Sequence, residues 1–113
     1  MPRRGICEAL SDILEAIRRI ESYVEKMDYV SFLKDIKTQD AVVRNFEIIG
    51  EAVKLLDSKF RDDHPNVPWK KIAGIKDKLI HHYFGVNYEI IWIIIEEELL
   101  DLKVSIEEIR KQL

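Results

Sequence analysis

The residues with the most chemical potential lie together, in Lys76-Asp77-Lys78-Leu79-Ile80-His81-His82-Tyr83. Histidine titrates near neutrality and moves a proton in either direction. A neighbouring ammonium neutralises a phosphate and stabilises charge that builds on it in a transition state. A tyrosine hydroxyl hydrogen-bonds a phosphate or itself accepts a group. Together these types suit metal-free RNA cleavage, in which a 2′-hydroxyl attacks the adjacent phosphate. The same residues also suit a solvated helix end, where lysines and histidines complement the negative pole of the helix dipole. Charge around them is uneven. Between Asn66 and Gly85 four lysines stand against Asp77, a local +3 in a chain of net charge −3, so the remainder carries −6.

Helical spacing limits which of these groups meet. At about 100° per residue, Lys76 and Tyr83 lie roughly 20° apart and share a face, whereas Lys76 and His81 lie about 140° apart. Asp77 and His81, at i and i+4, meet on one face, so Asp77 could orient the imidazole. For Lys76, His81 and Tyr83 to converge, either the helix loosens around His81 or two chains contribute.

Arg44, Glu47 and Glu51 form a second group, at i, i+3 and i+7 on one helical face. Glu47–Glu51 is a like-charged i,i+4 pair, mildly unfavourable unless Arg44 or another cation bridges it. The group reads either as a polar network lining a cleft or as an exposed charged face. Gly50 beside it costs helix propensity, which points to close approach of another helix or to simple tolerance. Trp69 and Trp92 could stack on a base, although a buried or interfacial place suits them better. His64, beside Pro65, reads as a solvated loop histidine. The chain has no CxxC, HExxH, carboxylate cluster or Gly-rich phosphate loop, so metal and nucleotide-hydrolysis chemistry lack support.

The elements that must position these residues are helices. Four glycines and three prolines in 113 residues are about half the usual share of roughly 12%. Few turn-formers with much Ile, Leu, Glu and Lys predict an all-α domain of a few long helices around one core. Ile6, Leu10, Ile13, Leu14, Ile17, Ile20, Val24 and Met27 predict a first helix of about six turns. Asp28 caps a short turn over 29–34, and Thr38 or Asp40 begins a second long helix that the cluster His64-Pro65-Asn66-Val67-Pro68 ends. Pro68 opens a third helix through Trp69, Ile72, Ile75, Leu79 and Ile80, which Gly85 closes as a cap or turn. Asn87 caps a last helix running from Tyr88 towards Leu113.

Ile90–Ile95 is β-branched enough for a strand. The stripe Leu99, Leu102, Ile106, Ile109, Leu113 that follows makes it helix, and Glu96-Glu97-Glu98 would suit a strand poorly. A helix apolar nearly all round must be covered on more than one side, and a second copy of the chain is the simplest cover. The same six-residue run is too short to span a bilayer, which takes about 20 residues. The N-terminus lacks the apolar region of a signal peptide. A lone Cys7 excludes a disulfide scaffold and points to a reducing compartment, the cytoplasm.

Arg44-Asn45-Phe46-Glu47-Ile48-Ile49-Gly50-Glu51-Ala52 is followed by Pro65 and by Val67-Pro68-Trp69-Lys70-Lys71-Ile72-Ala73-Gly74-Ile75. Lys76 to His81 and Tyr83-Phe84-Gly85-Val86 complete the pattern. In order and spacing this closely resembles the HepT-like HEPN proteins, ribonuclease toxins paired with a minimal nucleotidyltransferase antitoxin. The resemblance covers nearly the whole chain. It implies one HEPN-like domain over residues 1–113, an antiparallel four- to five-helix bundle that dimerises with the catalytic motif facing a cleft between protomers. It implies a metal-independent endoribonuclease of a type VII-like toxin–antitoxin pair, using no cofactor and acting on RNA.

The family motif is arginine, four residues, histidine, any residue, tyrosine. It carries over onto His81 and Tyr83, with Asp77 as the polar residue that follows the first position and Arg44, Glu47 and Glu51 in support. The antitoxin of such pairs can transfer AMP to the motif tyrosine, here Tyr83. The arginine position holds Lys76, which keeps the charge and loses the planar fork that grips phosphate in bidentate fashion. Three outcomes follow: a slower nuclease, a nuclease recruiting another cation such as Lys78 or Arg44, or an inactive relative kept as a binding subunit of a nucleotidyltransferase.

Overall fold

A computed structural model of the chain describes residues 3–75, 77, 80–81 and 85–113; for residues 3, 4, 80 and 81 it describes the backbone alone. α1, Arg3–Val24, has the expected six turns. Its stripe of Leu10, Ile13, Leu14, Ile17 and Ile20 is wholly buried, because α1 lies along the second long helix on one side and the last on the other. The chain reverses through Lys26, which takes the left-handed conformation with φ 64°, and the Met27 N–H donates to the Val24 carbonyl at 2.9 Å.

Asp28 then caps α2, Tyr29–Lys34, as its position suggested: its carboxylate accepts from the Ser31 N–H at 2.8 Å. The next helix, α3, spans Ile36–Lys54 and so begins before Thr38 or Asp40. Asp35 is the reason. Its carboxylate accepts from the Thr38 N–H at 3.0 Å and from the Thr38 hydroxyl at 2.8 Å, so Thr38 serves the cap rather than being one. The carbonyls left over at the end of α2 go to Gln39, whose amide donates to Phe32 O at 2.9 Å and Leu33 O at 3.1 Å. That use of both amide hydrogens explains how a glutamine is buried between two helices.

These caps carry a pH dependence. The Ser31 backbone N–H, helped by its side chain, holds the Asp28 carboxyl below the usual carboxylate range, and the Thr38 backbone and hydroxyl do the same to Asp35. A depressed carboxyl contributes stability above its unfolded pKa of about 4 and loses it as pH falls through the lower folded value. Replacing both Asp28 and Asp35 by Asn keeps a capping acceptor without the titration. Between pH 7 and pH 3 the urea midpoint of that double variant should fall less than the parent's; equal falls would remove the caps from the acid response.

α3 does not run on to the His64–Pro68 cluster. It stops at Lys54, and Asp57 caps a separate short helix, α4, Ser58–Asp63, accepting from the Phe60 N–H at 2.8 Å. Leu56 and Phe60, both buried, pull the chain inward there. Pro68 is the residue before α5, Trp69–Ala73, rather than its first position.

The expected third helix also changes character before Ile80. α5 ends at Ala73, with Gly74 as its cap; Ile75 and Asp77 are helical, but Ile80–His81 forms an extended segment, β1. It pairs antiparallel with β2, Gly85–Val86, in the register Ile80 to Val86 and His81 to Gly85. Gly85 has φ 85°, a value that suits a residue without Cβ, and marks the turn.

Asn87 caps α6, Tyr88–Glu97, by accepting from the Ile90 N–H at 3.1 Å. Ile90–Ile95 is therefore helical, as the stripe after it required. The last helix is nevertheless two: Glu98, with φ −119°, bends the chain into α7, Leu99–Lys111. The result is an all-α bundle with, among the described residues, one two-residue ladder. Ile91 and Trp92 are buried and Ile94 and Ile95 half-buried, while Ile90 and Ile93 remain 42% and 44% exposed. On α7, Leu100 and Val104 are likewise 61% and 50% exposed. Among the described residues no helix is long and apolar enough to cross a membrane.

Candidate functional site

Lys76 and Tyr83 lie outside the described residues, as do Lys78 and His82, and of His81 the backbone alone is described. What the structure defines is the frame that holds them. Upstream, α5 delivers the chain to Lys76; downstream, β2 returns it to α6; and His81 stands in the ladder between. The helical i,i+4 relation of Asp77 to His81 does not hold, because the backbone is extended at Ile80–His81. Asp77 itself is helical and exposed. Of the two routes to convergence that helical spacing left open, the first requires departure from the helix at His81, and that departure is present.

The upstream anchor is a set of buried aromatic and aliphatic residues. Trp69 is 5% exposed and its indole N–H donates to His64 O at 2.9 Å, so both its faces and its polar edge are spent within the fold. Phe60 lies beside it at 6.0 Å between ring centroids and beside His64 at 4.7 Å. His64 is thus half-buried against Phe60 rather than a solvated loop residue. Trp92 is likewise buried. Neither tryptophan offers a free face for a base.

Gly50 explains how α5 comes so near α3. A Cβ at this position would lie 3.7 Å from Ile72 O and 3.8 Å from Ala73 O, so the two carbonyls at the end of α5 rest on the glycine. Those distances are ordinary contacts. Gly50→Ala should therefore fit and raise stability by up to about 1 kcal/mol through helix propensity. Gly50→Leu, with nowhere to go but the two carbonyls, should lower it by about 1–3 kcal/mol. Urea denaturation of the pair checks both, and a loss of more than about 1 kcal/mol in Gly50→Ala would contradict the packing.

Arg44, Glu47 and Glu51 do share one edge of α3, next to the side on which α5 packs. Arg44 and Glu51 are exposed and Glu47 is half-buried and engaged. The cation that relieves Glu51 is Lys54, at 3.9 Å, not Arg44. Sequence reasoning passed over Asn45. It is 4% exposed, its amide donates to Ala41 O at 2.8 Å, and its Oδ1 is buried without a hydrogen-bond partner among the described residues. An asparagine one position from a charged row carries no periodic signal that would single it out.

Two further features flank α5. A cavity of about 260 Å³ lies beneath it, walled by Phe46, Ile49, Ile72, Ile75, Ile94 and Leu102. Lys71 Nζ donates to Glu98 Oε1 at its mouth, tying α5 to the bend between α6 and α7. Among the described residues no group of three or more His, Cys, Asp or Glu side chains is placed to hold a metal.

A Methanocaldococcus jannaschii protein described as a candidate RNase is 51% identical over 100% of this chain and 93% of its own length. A Thermococcus cleftensis protein described as a candidate ribonuclease HepT is 43% identical over 96% of this chain and 99% of its own. A candidate RNase of Caldanaerobacter subterraneus subsp. tengcongensis is 48% identical over 88% of this chain and 89% of its own. No solved structure matches. The ribonuclease HepT-like family matches residues 13–109, which includes α3, α5, the ladder and all of the Lys76–Tyr83 motif. The chain belongs to the HepT-like ribonuclease family.

Proposed function

We propose that this protein is a metal-independent endoribonuclease whose reacting groups are His81, Lys76 and Tyr83. His81 takes the proton from a ribose 2′-hydroxyl as it attacks the adjacent phosphate, and returns a proton to the departing 5′-oxygen. Lys76 stabilises the charge that builds on the phosphoryl oxygens, and the Tyr83 hydroxyl assists by hydrogen bonding to them. Asp77, Arg44, Glu47 and Glu51 support the site electrostatically. The observation that carries the reading is the Lys76–Tyr83 motif within a chain of this family, set where the backbone leaves the helix at His81.

Cleavage of tRNA or total RNA in EDTA, with His81→Ala protein prepared in parallel, tests it. Cleavage by the parent alone, leaving 2′,3′-cyclic phosphate ends, is expected. Equal cleavage by both proteins, or none by either, sinks the catalytic claim.

The molecule works as a single domain in the cytoplasm, as a homodimer and as the toxin of a pair with a minimal nucleotidyltransferase antitoxin. That partner silences it by transferring AMP from ATP to the Tyr83 hydroxyl, which forms the O–P bond as the α–β phosphoanhydride breaks and pyrophosphate leaves. Ile90 and Ile93 on α6 with Leu100 and Val104 on α7 support the dimer, since they leave large apolar side chains in water. Light scattering at micromolar concentration tests the dimer, and a monomer would count against it. Mass spectrometry of Tyr83 after co-expression with the neighbouring nucleotidyltransferase tests the modification.

Lys76 favours a second reading, an inactive relative retained as a binding and regulatory subunit. Lys76→Arg separates the two. In a working nuclease the restored bidentate grip should raise kcat/KM by about ten-fold, the worth of one extra charge-assisted hydrogen bond. Activity created by Lys76→Arg where the parent has none would identify a lapsed enzyme.

A further inference from the structure

One charged surface is not absorbed by the catalytic reading. Between α4 and α5 runs an open groove of about 680 Å³. Its floor is Val67, Pro68 and Trp69, and its rim is Arg61, Lys70 and Lys71 with one acid, Asp62. In a chain of net charge −3 this lining leans positive: with Lys71 paired to Glu98, Arg61 and Lys70 still stand against the one lining carboxylate, Asp62. Two of the cations are available to a ligand. Lys71 is taken by Glu98, whereas Lys70 is exposed. Arg61 is fixed in place through one nitrogen, Nε, which donates to Leu56 O at 2.9 Å. The guanidinium carries five N–H donors, so its outer nitrogens are held ready at the rim. The groove is also close to the motif along the chain: α5, which forms one wall, ends at Ala73, three residues before Lys76.

We propose that this groove carries the backbone of a single-stranded RNA substrate into the site, with Lys70 and Arg61 on its phosphates. The inference rests on the ribonuclease reading and adds the path of the strand. Recognition is of phosphate and not of base, because Trp69 turns its indole N–H to His64 O and lies buried in the floor. A strand held this way gains no sequence preference from the groove.

The test uses the full chain carrying His81→Ala, so that RNA survives, and follows fluorescence anisotropy of labelled oligo(U) and oligo(A) from 50 to 200 mM salt. Each phosphate contact on a single strand contributes about 0.7 to the slope of log K against log salt. Arg61→Gln with Lys70→Gln should therefore lower the slope by about 1.4 for both oligonucleotides. Lys34→Gln, on α2 away from the groove, makes the equivalent single-charge control for Lys70→Gln alone. In the cleaving protein, Lys70→Gln should raise KM by a larger factor than it lowers kcat.

Lys70→Gln alone keeps the test valid should Arg61→Gln disturb α4. A slope change no larger than that of Lys34→Gln, or one confined to a single base, overturns the groove. With the parent still cleaving RNA in EDTA, that result would leave the catalytic reading standing. Absence of cleavage by the parent would remove both.

Discussion

His81→Ala is expected to lower RNA cleavage by about 10²–10⁴-fold, the usual worth of a positioned acid–base group. The size of the effect follows from the task. A 2′-hydroxyl is a poor nucleophile until its proton is taken, and a 5′-alkoxide is a poor leaving group until one is supplied. Imidazole is the side-chain type able to move a proton in either direction near neutrality, so one residue can serve both steps. The variant should also lose the part of the pH–rate profile that reports this group. Its unfolding midpoint should stay near the parent's, because the large stripes of the core, such as Leu10, Ile13, Ile17, Phe46 and Ile106, lie elsewhere in the fold. His82→Ala is the matched comparison, since the family motif leaves that position open; it should retain most of the rate. A rate for His81→Ala within a few-fold of the parent, with EDTA present, would assign the chemistry to another residue.

The site's scaffold was largely legible in the sequence, and its turning points were not. α1 could be read because its apolar residues recur without a break for six turns. Asp28 and Asn87 were legible because capping is local: each is a short polar side chain three residues before the N–H it receives. Asp35 was missed because Thr38 is an equally good cap in isolation, and only the geometry shows Thr38 donating its hydroxyl to Asp35. The run through Ile72, Ile75 and Leu79 kept a helical period past the point where the chain leaves the helix. Pairing of Ile80 with Val86 depends on Gly85 closing the return, which no periodicity encodes. The Glu98 bend carries neither Gly nor Pro. Its carboxylate is drawn to Lys71, 27 residues earlier, a contact visible only in three dimensions. Gln39 and Asn45 stand at buried positions on α3 where an apolar residue would be the default, and their partners are backbone carbonyls. Side-chain type alone says little about such pairs.

Phe32→Ala should have the opposite signature to His81→Ala, a large loss of stability from a residue outside the motif. Phe32 is fully buried and joins α2 to α6, with its ring 5.1 Å from Trp92 and edge-on to Tyr88 at 6.1 Å. Tyr29 adds a contact with Trp92 at 6.3 Å, so four aromatic rings form the joint. Deleting the central ring removes its transfer energy and leaves a cavity that rigid neighbours fill poorly, at a cost of about 3–5 kcal/mol. A domain of this size is stable by only about 5–15 kcal/mol, so the urea midpoint should fall by about a fifth or more. The joint also matters for function. Tyr88 is the first residue of α6, and two positions before it β2 closes the ladder that holds His81. Loosening α2 from α6 therefore frees the downstream end of the motif. Activity of Phe32→Ala should fall below the parent even at temperatures where circular dichroism reports full helix content. Phe32→Leu, which fills most of the volume, should recover much of both losses. If Phe32→Ala costs less than about 1 kcal/mol, the joint between α2 and α6 is not what fixes α6, and the downstream anchor of the site must lie in the packing of Ile91 instead.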